Sequence, residues 1–396
     1  MAYCLPYCVF IFAIFIMSIC VWLGIENSPD LDLGENKRNS EADGELVFVH
    51  VLYRHGDRNP VMSTPGSKYT DLSYWPEGWG QLTTLGIQQE YSLGQWLRRR
   101  YNNFLSEVYH ANDIYVRSSD VDRTIMSAQS VLAGLYPPHG KQMWKKNFFW
   151  QPIPVHTVPA SMDYLIATNV PNCSSYENAM KQYLASDEME KYYHSIQPIF
   201  DYLTLHIGKN ISTYGELTVT RDTWICETTH KYKLPQWVGK LYPNNDDFER
   251  AAMTYYTLSS GTKFLSKFSI GFFLKDILDR FTSKIQNTLT PNRKMWMYSS
   301  HDLTAFSFLR SLKLLENQYV PYAAAITLEL RKIGNEHIVQ IFYKNSDKNP
   351  GPIDIPGCGT ACPLSKMYEI YDDIIPKNDF DTECLIPEEA DTRTDT

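Results

Sequence analysis

The first strongly patterned stretch of the chain is residues 46–53 (LVFVHVLY), apolar at every position except His50 and rich in valine. Such a run predicts a strand buried on both faces of a largely parallel sheet, and it ends abruptly in Arg54-His55-Gly56. Further on, Leu93, Leu97, Tyr101 and Phe104 recur at helical spacing behind a Thr83 or Thr84 cap. Arg98 to Arg100, in a later turn of that helix, read as a solvated face. A short strand at 114–116 is followed by Ser118-Ser119-Asp120, which reads as the cap of a helix over 121–135 stopped by Pro137-Pro138. From 147 to 292 the pattern changes to helical segments such as 176–184 and 248–264, with several aromatics and few alternating strands. Strand character returns at 294–299 (KMWMYS), which runs into Ser300-His301-Asp302, and again at 324–330 and 338–343, completing the sheet near an edge.

These elements predict an α/β fold with a mixed, largely parallel sheet flanked by helices over residues 45–146 and 293–385, and an inserted, mostly helical lobe over 147–292. A length of 396 residues suits one large domain with an insertion. Residues 1–25 carry no charged side chain and contain the apolar run VFIFAIFIMSI, so they read as a targeting segment, either a cleaved signal peptide or an uncleaved membrane anchor. Residues 26–44 read as a flexible linker and 386–396 as a disordered tail. With 43% hydrophobic and 21% charged residues the chain is a folded globular protein rather than a disordered one. A net charge of -8, from 45 acidic against 37 basic residues, with no long basic run, argues against nucleic acid as a partner.

Cysteine usage agrees with export. Three of the eight cysteines fall in the targeting segment and five remain: Cys173, Cys226, Cys358, Cys362 and Cys384, an odd number that leaves at least one unpaired. Cys358 and Cys362 lack a second closely spaced Cys/His pair, which favours a short-loop disulfide over a metal site. Asn172-Cys-Ser174 and Asn210-Ile-Ser212 are sequons for N-glycosylation in that compartment.

Three segments share one design: a strand ends and ionisable residues follow at once, at Arg54 to Arg58, at Ser119 to Arg123 and at His301-Asp302. Ligands of α/β sheets bind at the carboxyl ends of strands. Pooled there, the guanidiniums of Arg54, Arg58 and Arg123 would repel one another unless an anion sat between them, and arginine matches phosphate oxygens through paired donors. Phosphoryl transfer needs such a cationic cradle together with a nucleophile and a proton donor. His55 suits the nucleophile, because neighbouring arginines oppose its protonation and keep a lone pair available in acid. Asp302 suits the donor to the leaving oxygen, a role that favours acidic solution. His301 is a further donor to a phosphate oxygen, Gly56 permits a tight turn, and Asp57 reads as a structural partner of nearby cations.

LYRHGDRNP (52–60), VRSSDVDRTIMSA (116–128) and YSSHDLT (298–304) resemble the three signatures of the histidine acid phosphatases, and the R-H-G-x-R-x-P pattern within the first arises by accident in a chain this long roughly once in ten thousand tries. WQPIPVHTVP (150–159) and PGCGTACPL (356–364) are similar to the prostatic and lysosomal branch, secreted insect members included. The resemblance implies a phosphoglycerate-mutase-like sheet domain with a helical lobe, a phosphohistidine on His55, and phosphate contacts from Arg54, Arg58, Arg123 and His301. It implies proton donation by Asp302, no metal and no cofactor. The implied substrates are small phosphomonoesters, with phosphopeptides, nucleotides and lipid phosphates all open.

Homodimers are frequent in that family, and Trp150 and His156 lie in a segment associated with dimer contacts there; the plainer reading makes both buried packing residues. The resemblance also pairs Cys173 with Cys384 and Cys358 with Cys362. The position expected to pair with Cys226 holds Ala325, so Cys226 is expected to be a free, buried thiol. Location is expected to be secreted or lysosomal, or anchored through the amino-terminal segment. The other eight histidines lack metal-site spacing and are read as structural. A catalytically silent binding protein of the same fold would lack part of the nucleophile, cradle and acid set, and a phosphohistidine transferase would be expected inside the cell.

Overall fold

The structure, a computed structural model, describes residues 44–64, 66–315 and 318–385. The targeting segment, the linker apart from Gly44, and the tail lie outside the described residues. Six strands among the described residues form one sheet: β1 (Glu45–Arg54), β2 (Ile114–Ser118), β3 (Met295–Ser300), β4 (Ala325–Ile333), β5 (Glu336–Lys344) and β6 (Cys362–Pro363), in the spatial order β2-β3-β1-β4-β5-β6. β3 runs parallel to both β1 and β2, while β4, β5 and β6 pair antiparallel in succession. β4 is therefore interior, beside β1, and only the later strands approach the edge.

β1 is buried on both faces. Val49, Val51 and Tyr53 pack against α1 (Thr84–Arg100) and α2 (Asp122–Leu135) through Leu93, Leu97, Val131 and Leu135. Phe48 and Leu52, on the opposite face, meet Phe273, Ile277 and Phe281 of a helix from the later part of the chain. The strand alternation thus serves two apolar layers at once, and each such fully buried side chain contributes about 1.5–3 kcal/mol.

Between β2 and β3 the chain is helical: α3 (Ser174–Leu184), α4 (Asp187–Ser195), α5 (Gln197–Ile207), α6 (Tyr214–Thr229), α7 (Asp246–Leu258) and α8 (Phe272–Ile285). The helix expected over 248–264 ends at Leu258. A Ser-Ser-Gly run breaks it, and the Thr262 hydroxyl caps a new helical turn by accepting from the Leu265 N–H (3.1 Å). A π-helical turn at Lys267–Gly271 then leads into α8. After β3 follow α9 (Asp302–Ser311) and, beyond β6, α10 (Leu364–Ile370).

Disulfides join Cys173 to Cys384 and Cys358 to Cys362, and Cys226 is free and buried. Three expectations need correction. The serines before α2 do not cap it: its N-cap is Val121, without a side-chain bond. Of the arginine run only Arg99 is solvated; Arg98 donates to the carbonyls of Leu105 and Ser106 (both 2.8 Å), and Arg100 pairs with the buried Glu329 (2.7 Å). Trp150 and His156 are exposed rather than buried, with residue 156 bridging to the edge of β2 at Arg117 and the His156 ring stacked on Tyr115 (4.7 Å).

Candidate active site

Strand register builds the site. Arg54 lies opposite Ser300, and Ser299 lies opposite both Tyr53 and Ser118, so three parallel strands end level and release their turns side by side. Arg54, His55, Arg58, Arg123, His301 and Asp302, separated by up to 248 positions, thereby share one electrostatic neighbourhood around His55 and Asp302.

Gly56 is demanded by close approach. A Cβ there would come within 2.4 Å of the Gly86 carbonyl oxygen, and one on Gly86 within 2.2 Å of the Asp57 carbonyl oxygen, so the turn after β1 lies directly on the first turn of α1. The Gly56 N–H points to the Ser127 hydroxyl (3.2 Å) and the Asp57 N–H to the Gln89 side-chain oxygen (2.8 Å).

His55 is buried, with Nδ1 2.8 Å from the Gly56 carbonyl oxygen. A carbonyl only accepts, so Nδ1 carries the proton and Nε2 keeps its lone pair. Burial and the guanidiniums of Arg54, Arg123 and Arg58 hold the imidazole well below its usual range, so it stays neutral in acid.

The three guanidiniums are held differently. Arg54, fully buried, pairs with Asp302 (2.8 Å), donates to the Tyr319 hydroxyl and the Val320 carbonyl (both 2.7 Å), and stacks on Tyr322 at 4.0 Å. Arg58 makes a two-pronged pair with Asp222 of α6 (2.9 Å on each prong). Arg123 makes no ion pair among the described residues; burial and the repulsion of Arg58 push it down to about 10. Two carboxylates therefore offset three guanidiniums, leaving one cationic charge in excess at the strand tips, a smaller excess than the sequence alone suggests.

His301 accepts from Arg123 at Nδ1 (3.3 Å), since the guanidinium only donates, and its Nε2–H goes to the Ser119 hydroxyl (2.9 Å), which is bonded to Thr124 (2.8 Å). Burial and Arg123 push His301 down to about 3. In this state neither ring nitrogen offers a spare N–H, so His301 orients Arg123. Burial alone would raise the Asp302 carboxyl, but Arg54, Arg58, His301 and the Leu303 N–H outweigh it and hold it below the ordinary range. Tyr256 donates to the same carboxylate (3.2 Å). Asp57 makes no ion pair with an arginine among the described residues; its carboxylate accepts from Thr83 (2.6 Å) and from His230 (2.9 Å).

Asp222, Tyr256, Tyr319 and Tyr322 escaped the sequence reading. Neither Asp222, one charged residue among several polar ones in α6, nor the tyrosines carried a local signal.

A family model described as histidine phosphatase superfamily (branch 2) matches residues 45–344. The chain is 35% identical to prostatic acid phosphatase from Bos taurus over 367 residues, 90% of this chain and 91% of the relative. It is 35% identical to lysosomal acid phosphatase from Homo sapiens over 348 residues, 86% of this chain and 80% of the relative. Among solved structures, Hafnia alvei phytase in complex with myo-inositol hexakis sulphate superposes with a TM-score of 0.64 at 16% identity, over 88% of this chain and 100% of that one. Klebsiella sp ASR1 phytase gives 0.63 at 17% identity, over 87% and 100%. With the domain match spanning the strand tips and both curated relatives aligned along most of their length, the chain belongs to branch 2 of the histidine phosphatase superfamily.

Proposed function

We propose that the chain is an acid phosphatase, a phosphoric monoester hydrolase that works through a covalent phosphohistidine on His55. One observation carries this reading: a neutral imidazole, its Nδ1 tied to Gly56, stands within the field of three arginines, one of which is paired with the Asp302 carboxylate. Arg123, Arg58 and Arg54 hold the phosphoryl oxygens. The His55 Nε2 lone pair forms the N–P bond as the ester P–O bond breaks, and Asp302 gives its proton to the departing oxygen. Water then attacks phosphorus, Asp302 takes back a proton, and the N–P bond breaks to release inorganic phosphate and free His55.

Asp302 begins as a carboxylate paired with Arg54. A phosphate dianion competes for that guanidinium and offsets the cationic field, so the carboxyl takes up a proton as the substrate binds; acidic solution favours this step. The same offset lets His301 gain a proton on Nδ1 and donate to a phosphate oxygen. The reaction needs no metal, and a chelator leaves the rate unchanged.

The segment over 147–292 acts as a lobe roofing the site, supported by the reach of Asp222 to Arg58 and of Tyr256 to Asp302. The protein works outside the cytosol, secreted or lysosomal, with carbohydrate on the exposed Asn172 and Asn210 and as a homodimer. The named relatives act as acid phosphatases, which supports phosphate monoesters, phosphopeptides and lipid phosphates among them, as the substrate class.

The test is transfer of label from a radioactive phosphate monoester, with rapid quenching in alkaline detergent. An acid-labile, alkali-stable label on the wild type, lost together with turnover in His55→Ala, is expected. A label that survives His55→Ala would overturn the reading.

A further inference from the structure

His230, the residue that ends α6, reaches the turn carrying the nucleophile from the helical part of the chain. Its Nε2 lies 2.9 Å from Asp57 Oδ2, and its ring edge meets Trp75 at 5.5 Å. Asp57 is completely buried, and the same oxygen accepts from the Thr83 hydroxyl at the head of α1 (2.6 Å). Asp57 Oδ1 is buried and accepts no hydrogen bond among the described residues. The side chain of Asp57 is thus held at one oxygen, between a helix cap on one side and His230 on the other.

That grip bears on His55 through a single peptide unit. The carbonyl of Gly56, which accepts from His55 Nδ1 (2.8 Å), and the N–H of Asp57, which donates to Gln89 (2.8 Å), belong to the same planar group. Rotating this plane would remove the acceptor that keeps the proton on Nδ1 and the lone pair on Nε2. Asp57 sets the angle of the plane, and His230 helps to set Asp57.

We propose that His230 is a positioning residue whose protonation tightens the turn around the nucleophile, so that the site is best aligned in acid. The inference rests on His55 as the nucleophile. An imidazolium adds the attraction of opposite charges to its bond with the Asp57 carboxylate, whereas a neutral imidazole donates the hydrogen bond alone. The groups acting on His230 agree: the bond to Asp57, then the charges of Asp57 and Glu77, outweigh burial and raise its pKa above the usual value, so the ring holds its proton to a higher pH than a free imidazole does. Trp75 and Thr83, which pack around the pair, carry no charge.

The test is kcat as a function of pH for the full-length wild type, His230→Gln and Asp57→Asn, with an aryl phosphate. Glutamine keeps a neutral donor but cannot be charged. Wild type should exceed His230→Gln about tenfold at pH 5, an effect of misalignment more than of lost binding, so KM changes little. The ratio should collapse toward one at the alkaline end of the profile, where the wild-type ring has lost its proton too. Asp57→Asn should show the same collapse, which covers the case in which His230→Gln fails to fold. A ratio that is constant across pH, including a constant ratio of one, overturns the inference. Absence of a labelled wild-type enzyme in the quench experiment above would instead overturn the reading of His55.

Discussion

Two groups of three arginines occupy this molecule, and they meet opposite fates. Arg98 to Arg100 are consecutive in α1, and the fold closes the charge of the two that turn inward. Arg98 is spent on backbone carbonyls, while Glu329 accepts from Arg100 (2.7 and 2.9 Å), from the Tyr101 hydroxyl (2.9 Å) and from Arg331 (2.7 and 3.0 Å). The faces of Arg100 lie against Phe342 and Trp96. Arg54, Arg58 and Arg123 are scattered in sequence but gathered at the strand tips, where two carboxylates serve three cations and, among the described residues, Arg123 donates to a carbonyl and an imidazole. Arginines committed to the carbonyls and the carboxylate of the fold hold it together. Arginines gathered with a cationic charge in excess hold an anion.

The contrast can be broken by exchanging the losses. Arg123→Ala should lower kcat/KM for any phosphate monoester by about 10²–10³, because a donor aimed at the developing charge is gone. Its thermal midpoint should stay the same or rise, since Arg123 is repelled by Arg58 in the resting site. Glu329→Gln should do the reverse: removing one partner of a buried pair costs about 3–5 kcal/mol of stability, while the folded fraction turns over normally. Steady-state kinetics on fractions titrated for active sites, with denaturant unfolding of the same samples, separates the two. Equal catalytic losses in both variants would erase the distinction.

Asp302→Asn sharpens the contrast within the cradle itself, on a smaller scale. Asparagine keeps a side chain beside Arg54 but cannot donate a proton to a departing alkoxide. Loss should reach about 10²-fold or more for alkyl phosphates with poor leaving groups and be much smaller for nitrophenyl phosphate, whose leaving oxygen needs little help. A plot of log kcat against leaving-group pKa should therefore steepen. Parallel plots for mutant and wild type would remove Asp302 from the role of acid.

What could be read from the sequence follows the same division. His55 with its arginines and His301-Asp302 stood out because each sits where an apolar strand stops, within a run of a few residues, and parallel register makes such ends neighbours. Asp222 and Tyr319 lie 164 and 265 positions from the arginines they hold, on segments whose approach depends on packing of the whole molecule. No local pattern announces them. The arginine run misled for a related reason: Arg98 and Arg100 are half-buried by what folds over α1, including β4, which carries Glu329. The serines ahead of α2 misled because Ser119, which could have capped the helix, is drawn to His301.

The smallest expected effect concerns pH. His301 falls from 6.5 to about 3 and His55 is lowered as well, both by burial and by the arginines. Below about 6.5 the unfolded chain binds protons at these positions that the folded protein does not, so stability is present above that pH and is lost as pH falls toward about 3. The slope cannot exceed about 1.4 kcal/mol per pH unit for each group. Inorganic phosphate in the cradle offsets the arginines, restores tolerance of a charged imidazole and should cancel part of that slope. The thermal midpoint with phosphate minus the midpoint without it should thus be larger at pH 4.5 than at pH 7.5. Glu329→Gln, which touches no histidine, should keep this dependence on phosphate and pH although it lowers every midpoint. His301→Asn should weaken it, because one of the two suppressed imidazoles is gone; a phosphate effect that is flat across pH in the wild type would mean that the cradle does not govern the protonation of its histidines.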